Sequence, residues 1–510
     1  MLFYYNKIKK FLSSSEGVFI LAIIIISIFT RFFHLTYQSL WFDELYSVCI
    51  ADPTNSTETL LSKLETDYHP PLFYLFLHGL FQVFPFNDFT ARFAVAIIGI
   101  LGVWLIYYLG KEINNKQTGL WAAFILSILY FHIKHSQEVR MYIVLFALII
   151  ITSIVFLKAI RKSNNYYFIF YAFFSVLSIY THYYAFFVLL AQGLCILHLM
   201  IFHKPDFIIF KKFSYSFLVI LLLYIPWIPN FLLTGQRQHF MELPNIGFFF
   251  VYLYDFTGKE PLTALFYLFG LGLFITKLYK LRNNSTNFQN PGFLLISYSL
   301  FSLILITYIV SIYKPVINLQ SMIAVMPFIV IAVVLGYEKY KSKIILLLSS
   351  IILISTGINL VFINKYYTKN SKENFRQISG MVNSSDSGDS NVIAVSQIAD
   401  FYNYYFRQMH SNIQVINPNA YSPDEALKNS SAFYVINAPF SKEKSRQLES
   451  IDEMGFLILY PQLKDKVKDI SVTHKIWVDY INQNFDIDSV YFDEKRKFDV
   501  AFRYKRRNNI

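Results

Sequence analysis

The chain is poor in charge. Of its 510 residues only 15% are Asp, Glu, Lys or Arg, while 55% are hydrophobic; a soluble protein carries about a quarter charged residues. Cysteine is nearly absent: Cys49 and Cys195 are the two present. So few, so far apart, exclude a disulfide framework and a thiolate metal cluster. A phosphate-cradling Gly-rich loop, a dinucleotide fingerprint, an HExxH pair and a GxSxG elbow are also missing. The common soluble-enzyme chemistries therefore have no support in the sequence.

What is abundant is apolar. Aromatic residues make up 19% of the chain, with 53 Phe and 38 Tyr. The apolar residues come in runs of roughly 18–22, the length a helix needs to cross a bilayer. Eleven spans are expected, near 17–36, 91–110, 118–135, 139–158, 166–183, 185–203, 214–233, 262–280, 292–312, 317–336 and 343–363. The first follows Lys7, Lys9 and Lys10 but precedes no small-residue cleavage site, so it reads as an anchor and not a signal peptide. The segment 70–86 is apolar but opens on Pro70-Pro71 and is short; it reads as an interfacial helix.

The formal charge of +12 does not indicate nucleic acid. Basic residues sit in short loops: Lys111/Lys116, Lys158/Arg161/Lys162, Lys204/Lys211/Lys212, Lys277/Lys280/Arg282 and Lys339/Lys341/Lys343. With the N-terminus in the cytoplasm, all of these fall inside, as the positive-inside rule requires. No cytoplasmic loop is long enough to hold a nucleotide-sugar donor.

After residue 365 the runs shrink to strand length, at 392–395, 413–416, 432–438 and 456–460. Helix-like stretches, 399–407 and 441–454, separate them, and 489–506 reads as a two-stranded hairpin closing the domain. A small α/β domain over 366–510 is expected, placed outside by the odd number of spans. The polar stretch 381–390 reads as a loop. The membrane part is expected to be one domain, 1–365, with a first outer loop over 37–90.

Ionisable residues collect at the outer ends of the spans. They are Asp43 and Glu44 after Trp41-Phe42, His69 before the Pro pair, Arg92, then Glu138 and Arg140, then His182, with Lys314 late in the chain. Ionisable groups at membrane depth are costly and tend to mark function. Each has an ordinary reading too. Asp43-Glu44 suits a solvated loop helix, His69 a turn, Glu138/Arg140 a local ion pair, and His182 an interfacial belt. Arg92 suits a snorkelling arginine, and Lys314 a surface lysine.

The order WFDE (41–44), HPPLFYLFLH (69–78), an Arg-opened span (91–112), SQEVRMYIVLFAL (136–148) and YTHYYAFFVLLAQ (180–192) resembles the bacterial protein-O-mannosyltransferase-like family. That family belongs to the GT-C membrane glycosyltransferases, together with the aminoarabinose transferases. The resemblance runs over about 15–365 and touches 366–378. It implies a polytopic α-helical GT-C fold with a C-terminal extracytoplasmic α/β domain, in a bacterial inner membrane. It also implies inverting sugar transfer from a polyprenyl-phosphate donor to a glycolipid, glycan or protein acceptor on the outer face.

Carried over residue by residue, the acid of the first loop falls on Asp43, as general base, with Glu44 beside it. Glu138 and Arg140 match the second outer motif. His69, Arg92, Glu138, Arg140, His182 and Lys314 are the expected donor and phosphate contacts. A divalent metal on Asp43, Glu44 and Glu138 stays open. Many members carry an arginine seven residues before the proline of a late span; here Gln320 stands there, before Pro327. Two other functions remain open: a lipid-linked glycan ligase or polymerase, and a lipid-linked sugar transporter.

The topology is directly testable. Alkaline phosphatase needs an oxidising exterior to form its disulfides. Fused after residue 390 it should be active, and fused after residue 162 inactive; the reverse pattern would invert the orientation.

Overall fold

The computed structural model describes residues 14–65, 67–203, 206–236, 243–282, 290–340, 342–369, 372–385, 393–396, 398–428, 432–436, 472–493 and 496–507. The chain forms two compact units. One holds residues 1–35 and 53–369; the other holds 36–52 and 370–510. The first loop, expected to belong wholly to the membrane domain, is thus divided, and its opening segment is built with the C-terminal chain.

The first unit is a helical bundle. Among the described residues, six helices are long and apolar enough to cross a membrane: Asp88–Ile113, Tyr142–Lys162, Ala185–Phe202, Phe207–Gly235, Pro261–Leu281 and Pro291–Tyr313. Side-chain caps start several of them. Asn87 Oδ1 accepts from Thr90 N–H at 2.9 Å, and Asn290 Oδ1 from Gly292 N–H at 2.9 Å, satisfying amides that a helix start leaves bare. The segment at 70–86 is a helix of 12 residues, Leu72–Val83. At 1.5 Å per residue it reaches about 18 Å, short of a roughly 30 Å hydrocarbon core.

Five expected spans are not continuous α-helices: 292–312 and 343–363 pass into π-helical turns, Phe301–Ile306 and Asn359–Ile363, and three others are interrupted. The run 118–135 breaks at Leu129, whose backbone is extended, into Lys116–Ile128 and Tyr130–Ser136. The run 214–233 passes through a 3-10 turn, Ile225–Trp227, at Pro226. The run 317–336 becomes a 3-10 turn, Ser321–Ala324, and then a 12-residue helix, Met326–Tyr337, opened by Pro327. Every residue of that helix is buried, so its all-round apolar character reflects a core position and not exposure to lipid.

The break at Leu129 is braced. Buried Arg31, in the last turn of Ser15–Phe32, donates to Ser127 O at 2.6 Å and Leu126 O at 3.1 Å, and meets His132 Nδ1 at 2.8 Å. In return Gln137 Nε2 donates to Arg31 O at 3.0 Å and Phe33 O at 3.2 Å. Each helix end is capped by a side chain of the other segment. In a bilayer no water would do this. On the same short helix, Tyr130 packs on the left-handed Gly258 (φ 70), where an added Cβ would come within 2.6 Å of its ring.

The second unit carries a five-stranded sheet in the order β2-β1-β3-β5-β4. The strands are β1 Ile393–Val395, β2 Gln414–Ile416, β3 Ala432–Ile436, β4 Phe485–Asp493 and β5 Arg496–Arg506. β1 runs parallel to β2 and β3; β3, β5 and β4 are antiparallel neighbours. The expected strands at 392–395, 413–416 and 432–438 and the terminal hairpin are present, as is the helix Ala399–Gln408. Residues 381–385 are not a loop but the end of a helix, Phe375–Ser385, whose face with buried Phe375, Ile378 and Val382 the polar composition hid. The expected helix at 441–454 and strand at 456–460 lie outside the described residues. Val395, Phe433, Val435, Trp477 and Phe502 form the core.

Arg31→Met should leave the Ser127 carbonyl unsatisfied, at ~1–3 kcal/mol, and leave Leu126 O with the Leu129 N–H alone. The expected outcome is a clear fall in the melting temperature of the detergent-solubilised protein. An unchanged melting temperature would show that the brace does not hold the break.

Candidate active site

Seven polar and aromatic side chains of the membrane unit gather around one loop. That loop, 137–141, follows the braced helix Tyr130–Ser136 and precedes Tyr142–Lys162. It is tight: Arg140 N–H donates to Glu138 O at 2.7 Å. Glu138 and Arg140 are both 5% exposed, so this is a desolvated charged loop and not a solvated connection. His135 Nδ1 lies 3.2 Å from Glu138 Oε2. The Arg140 guanidinium stands 5.9 Å from the centre of the Tyr142 ring.

Two further segments complete the group. The Tyr142 and His182 rings are 5.7 Å apart, and the His182 and His69 rings 5.3 Å. His182 caps the helix Asn165–Thr181 in extended conformation, which turns its ring out of the helix. Its Nδ1 accepts from Tyr184 N–H at 3.1 Å. The ring proton of the neutral form therefore sits on Nε2, 3.4 Å from Ser321 Oγ, where it can be donated. Asp67, two residues before His69, is buried.

The electrostatics follow from burial. Desolvation, and then the Arg140 charge, hold the half-buried His69 imidazole down at about 3. Burial pushes the Asp67 carboxyl up, against Tyr74 and Arg140, which favour its charged form. Near neutral pH, His69 is thus an uncharged hydrogen-bonding group, and Arg140 supplies fixed positive charge in a low-dielectric setting. Such an arrangement suits an oxyanion whose charge grows during reaction.

Of the residues singled out from the sequence, His69, Glu138, Arg140 and His182 are brought together. Arg92 is buried and donates to Leu35 O at 3.1 Å, just beyond the end of the first helix. Lys314 lies beside Gly235. Asp43 and Glu44 belong to the second unit, on the helix Phe42–Ile50. There Glu44 is fully buried, accepts from Trp41 N–H at 3.2 Å and pairs with Lys372 at 3.0 Å. Gln320 opens the 3-10 turn whose next residue, Ser321, meets His182.

Among the described residues, no three His, Cys, Asp or Glu gather as a metal-ligand set. The site list from the sequence omits Asp67, His135 and Tyr142, which flank its members in the chain. It also omits Arg31 and Lys372. An arginine inside an apolar run was the available signal for the first; nothing marked the second.

The depressed His69 value has a consequence for acid stability. Below about 6.5 the unfolded chain takes up this proton and the folded one does not, so stability falls as pH drops from there towards about 3. His69→Gln should flatten that part of the melting-temperature profile; an unaltered profile would mean that His69 is protonated in the fold.

Residues 68–230 match the dolichyl-phosphate-mannose-protein mannosyltransferase family by sequence. No curated protein matches the chain by sequence. Solved structures are similar in fold. ArnT from Cupriavidus metallidurans in the apo state aligns with a TM-score of 0.59 at 10% identity, over 96% of this chain and 97% of that one. Its complex with undecaprenyl phosphate gives 0.57 at 12% identity, over 96% and 98%. The archaeal oligosaccharyltransferase AglB from Archaeoglobus fulgidus, solved with an inhibitory peptide and a dolichol-phosphate, gives 0.51 at 12% identity, over 82% and 69%. The chain thus shares its fold with ArnT and AglB, and residues 68–230 are similar in sequence to the mannosyltransferase family.

Proposed function

We propose that the protein moves a sugar from a polyprenyl-phosphate-linked donor to an acceptor on the outer face of a bacterial inner membrane, with inversion at the anomeric carbon. The observation that carries this reading is the Arg140 cluster: a buried guanidinium beside Tyr142, with the neutral imidazoles of His69 and His182 close by. A phosphate oxygen can accept from all three kinds of donor, and arginine's planar fork matches phosphate geometry. ArnT, similar in fold over nearly its whole length, has been solved bound to undecaprenyl phosphate, which supports a lipid phosphate as the ligand.

In this reading Asp43 is the general base. Its carboxylate takes the proton of an acceptor hydroxyl or amine as that atom attacks the anomeric carbon from the side opposite the phosphate. The new glycosidic bond forms while the bond from the anomeric carbon to the phosphate oxygen breaks. The electron pair leaves with the lipid phosphate, whose growing charge Arg140 balances, with Nε2–H of His182 as a second donor. Arg92 and Lys314 are the reserve cations. Glu44 has a different role from a second base, since its carboxylate is already occupied by Lys372 and the Trp41 amide.

The similarity to AglB favours one alternative specifically: a donor carrying a whole glycan. A transporter of lipid-linked sugar has no comparable support.

The test uses full-length protein and a panel of radiolabelled polyprenyl-phosphate sugars, with donor binding measured in the same preparation. Wild type should transfer one sugar. Asp43→Asn should bind donor as before and turn over at least ~10²-fold more slowly, within the range general-base assistance supplies. Full activity in Asp43→Asn would remove it as the base. Transfer only from oligosaccharide donors would favour the ligase.

A further inference from the structure

The helix Phe42–Ile50 is nine residues long. Isolated helices below about 12 residues are marginal in water, so this one depends on what it packs against. Its supports come from the C-terminal chain. Arg376 donates to Thr36 O at 3.0 Å and Gln38 O at 3.3 Å, and its amide donates to Ser39 Oγ at 3.2 Å. Leu40 N–H donates to the Tyr405 hydroxyl at 2.9 Å. The Phe42 ring meets Phe401 edge-on at 5.0 Å. At the far end Asp52 is ion-paired with Arg407.

One pair sits beside Asp43 itself. Glu44 is fully buried and its Oε2 takes both the Trp41 amide and the Lys372 ammonium, the latter at 3.0 Å. The helix start and the ion pair therefore share one oxygen. Lys372 is bound again through its amide, which donates to Gln38 Oε1 at 3.1 Å. A buried carboxylate with its cation removed is strongly destabilised, so the first turn, and Asp43 in it, is held by the C-terminal unit.

We infer that the C-terminal unit is the mount of the Asp43 helix, and that Lys372 is a positioning residue acting through Glu44 on the acceptor-activating carboxylate. This rests on the reading of Asp43 as base. It gives the α/β unit a part in turnover and none in holding the donor phosphate.

The experiment compares full-length wild type, Lys372→Met, Lys372→Arg, Asp43→Asn and the double variant Asp43→Asn/Lys372→Met. Turnover is measured with the polyprenyl-phosphate sugar that wild type uses, binding with undecaprenyl phosphate, and local order by amide hydrogen exchange over 42–50. Lys372→Met should lower kcat by about 10²-fold, the order a 1 Å misplacement costs. Its KM for the donor and its binding of undecaprenyl phosphate should stay unchanged. Exchange over 42–50 should rise while that of Tyr142–Lys162 stays put, and Lys372→Arg should recover most of the loss.

On the Asp43→Asn background the Lys372→Met change should add less than about 2-fold, because coupled residues are not additive. Unchanged exchange over 42–50, or a full multiplicative loss on that background, would overturn the proposal. Failure of the base reading looks different: Asp43→Asn alone would then turn over like wild type.

Discussion

Every carbonyl and amide inside a bilayer must find a partner within the protein, because no water is there to serve. That constraint makes the break at Leu129 informative. A helix interrupted within an apolar run exposes carbonyls of its last turn, and here the Arg31 guanidinium takes two of them while Gln137 takes carbonyls at the end of the first helix. The exchange ties two helix ends to each other. The loop that carries Glu138 and Arg140 begins at Gln137, so the brace also fixes where the charged loop starts. The position of the site is thus inherited from a backbone-satisfaction problem.

The same constraint explains why the chain was partly legible. Long apolar runs must be helical in lipid, so the membrane class and most helix positions follow from composition and length. Interruptions were less visible. Pro226 and Pro327 mark two of them, but at Leu129 the chain has no Gly or Pro next to the break, and the Arg31 guanidinium takes the carbonyls that precede it. The strands at 393–395, 414–416 and 432–436 were readable because short β-branched and aromatic runs between polar helices have few alternatives. Residues 381–385 misled because Met381 and Val382 are followed by Asn and Ser, and the amphipathic face of that helix begins earlier, at Phe375.

At the candidate site, local motifs singled out residues but not the unit to which each belongs. His69, Glu138, Arg140 and His182 converge because helix ends bring distant segments to one level. The WFDE segment is only 25 residues before His69 in the chain, and sequence proximity suggested a common loop. The structure assigns it to the C-terminal unit instead. The determinants of that choice are Lys372, Arg376, Tyr405 and Arg407, more than 300 residues away. Pairings of such separation leave no local pattern, and a single lysine beside a polar linker resembles any surface lysine.

Glu44 sharpens the division of labour. Two adjacent carboxylates invite a shared role, either a metal or a base with its helper. A carboxylate that already accepts a backbone amide and an ammonium on one oxygen, with no exposed surface, has little freedom to change its charge during a reaction. Asp43 precedes it by one residue and so points about 100° away around the helix; it is also half-exposed. In the proposed reading the buried neighbour supplies rigidity and the half-exposed one presents the carboxylate, and a general base needs both: fixed geometry and access to the proton it removes.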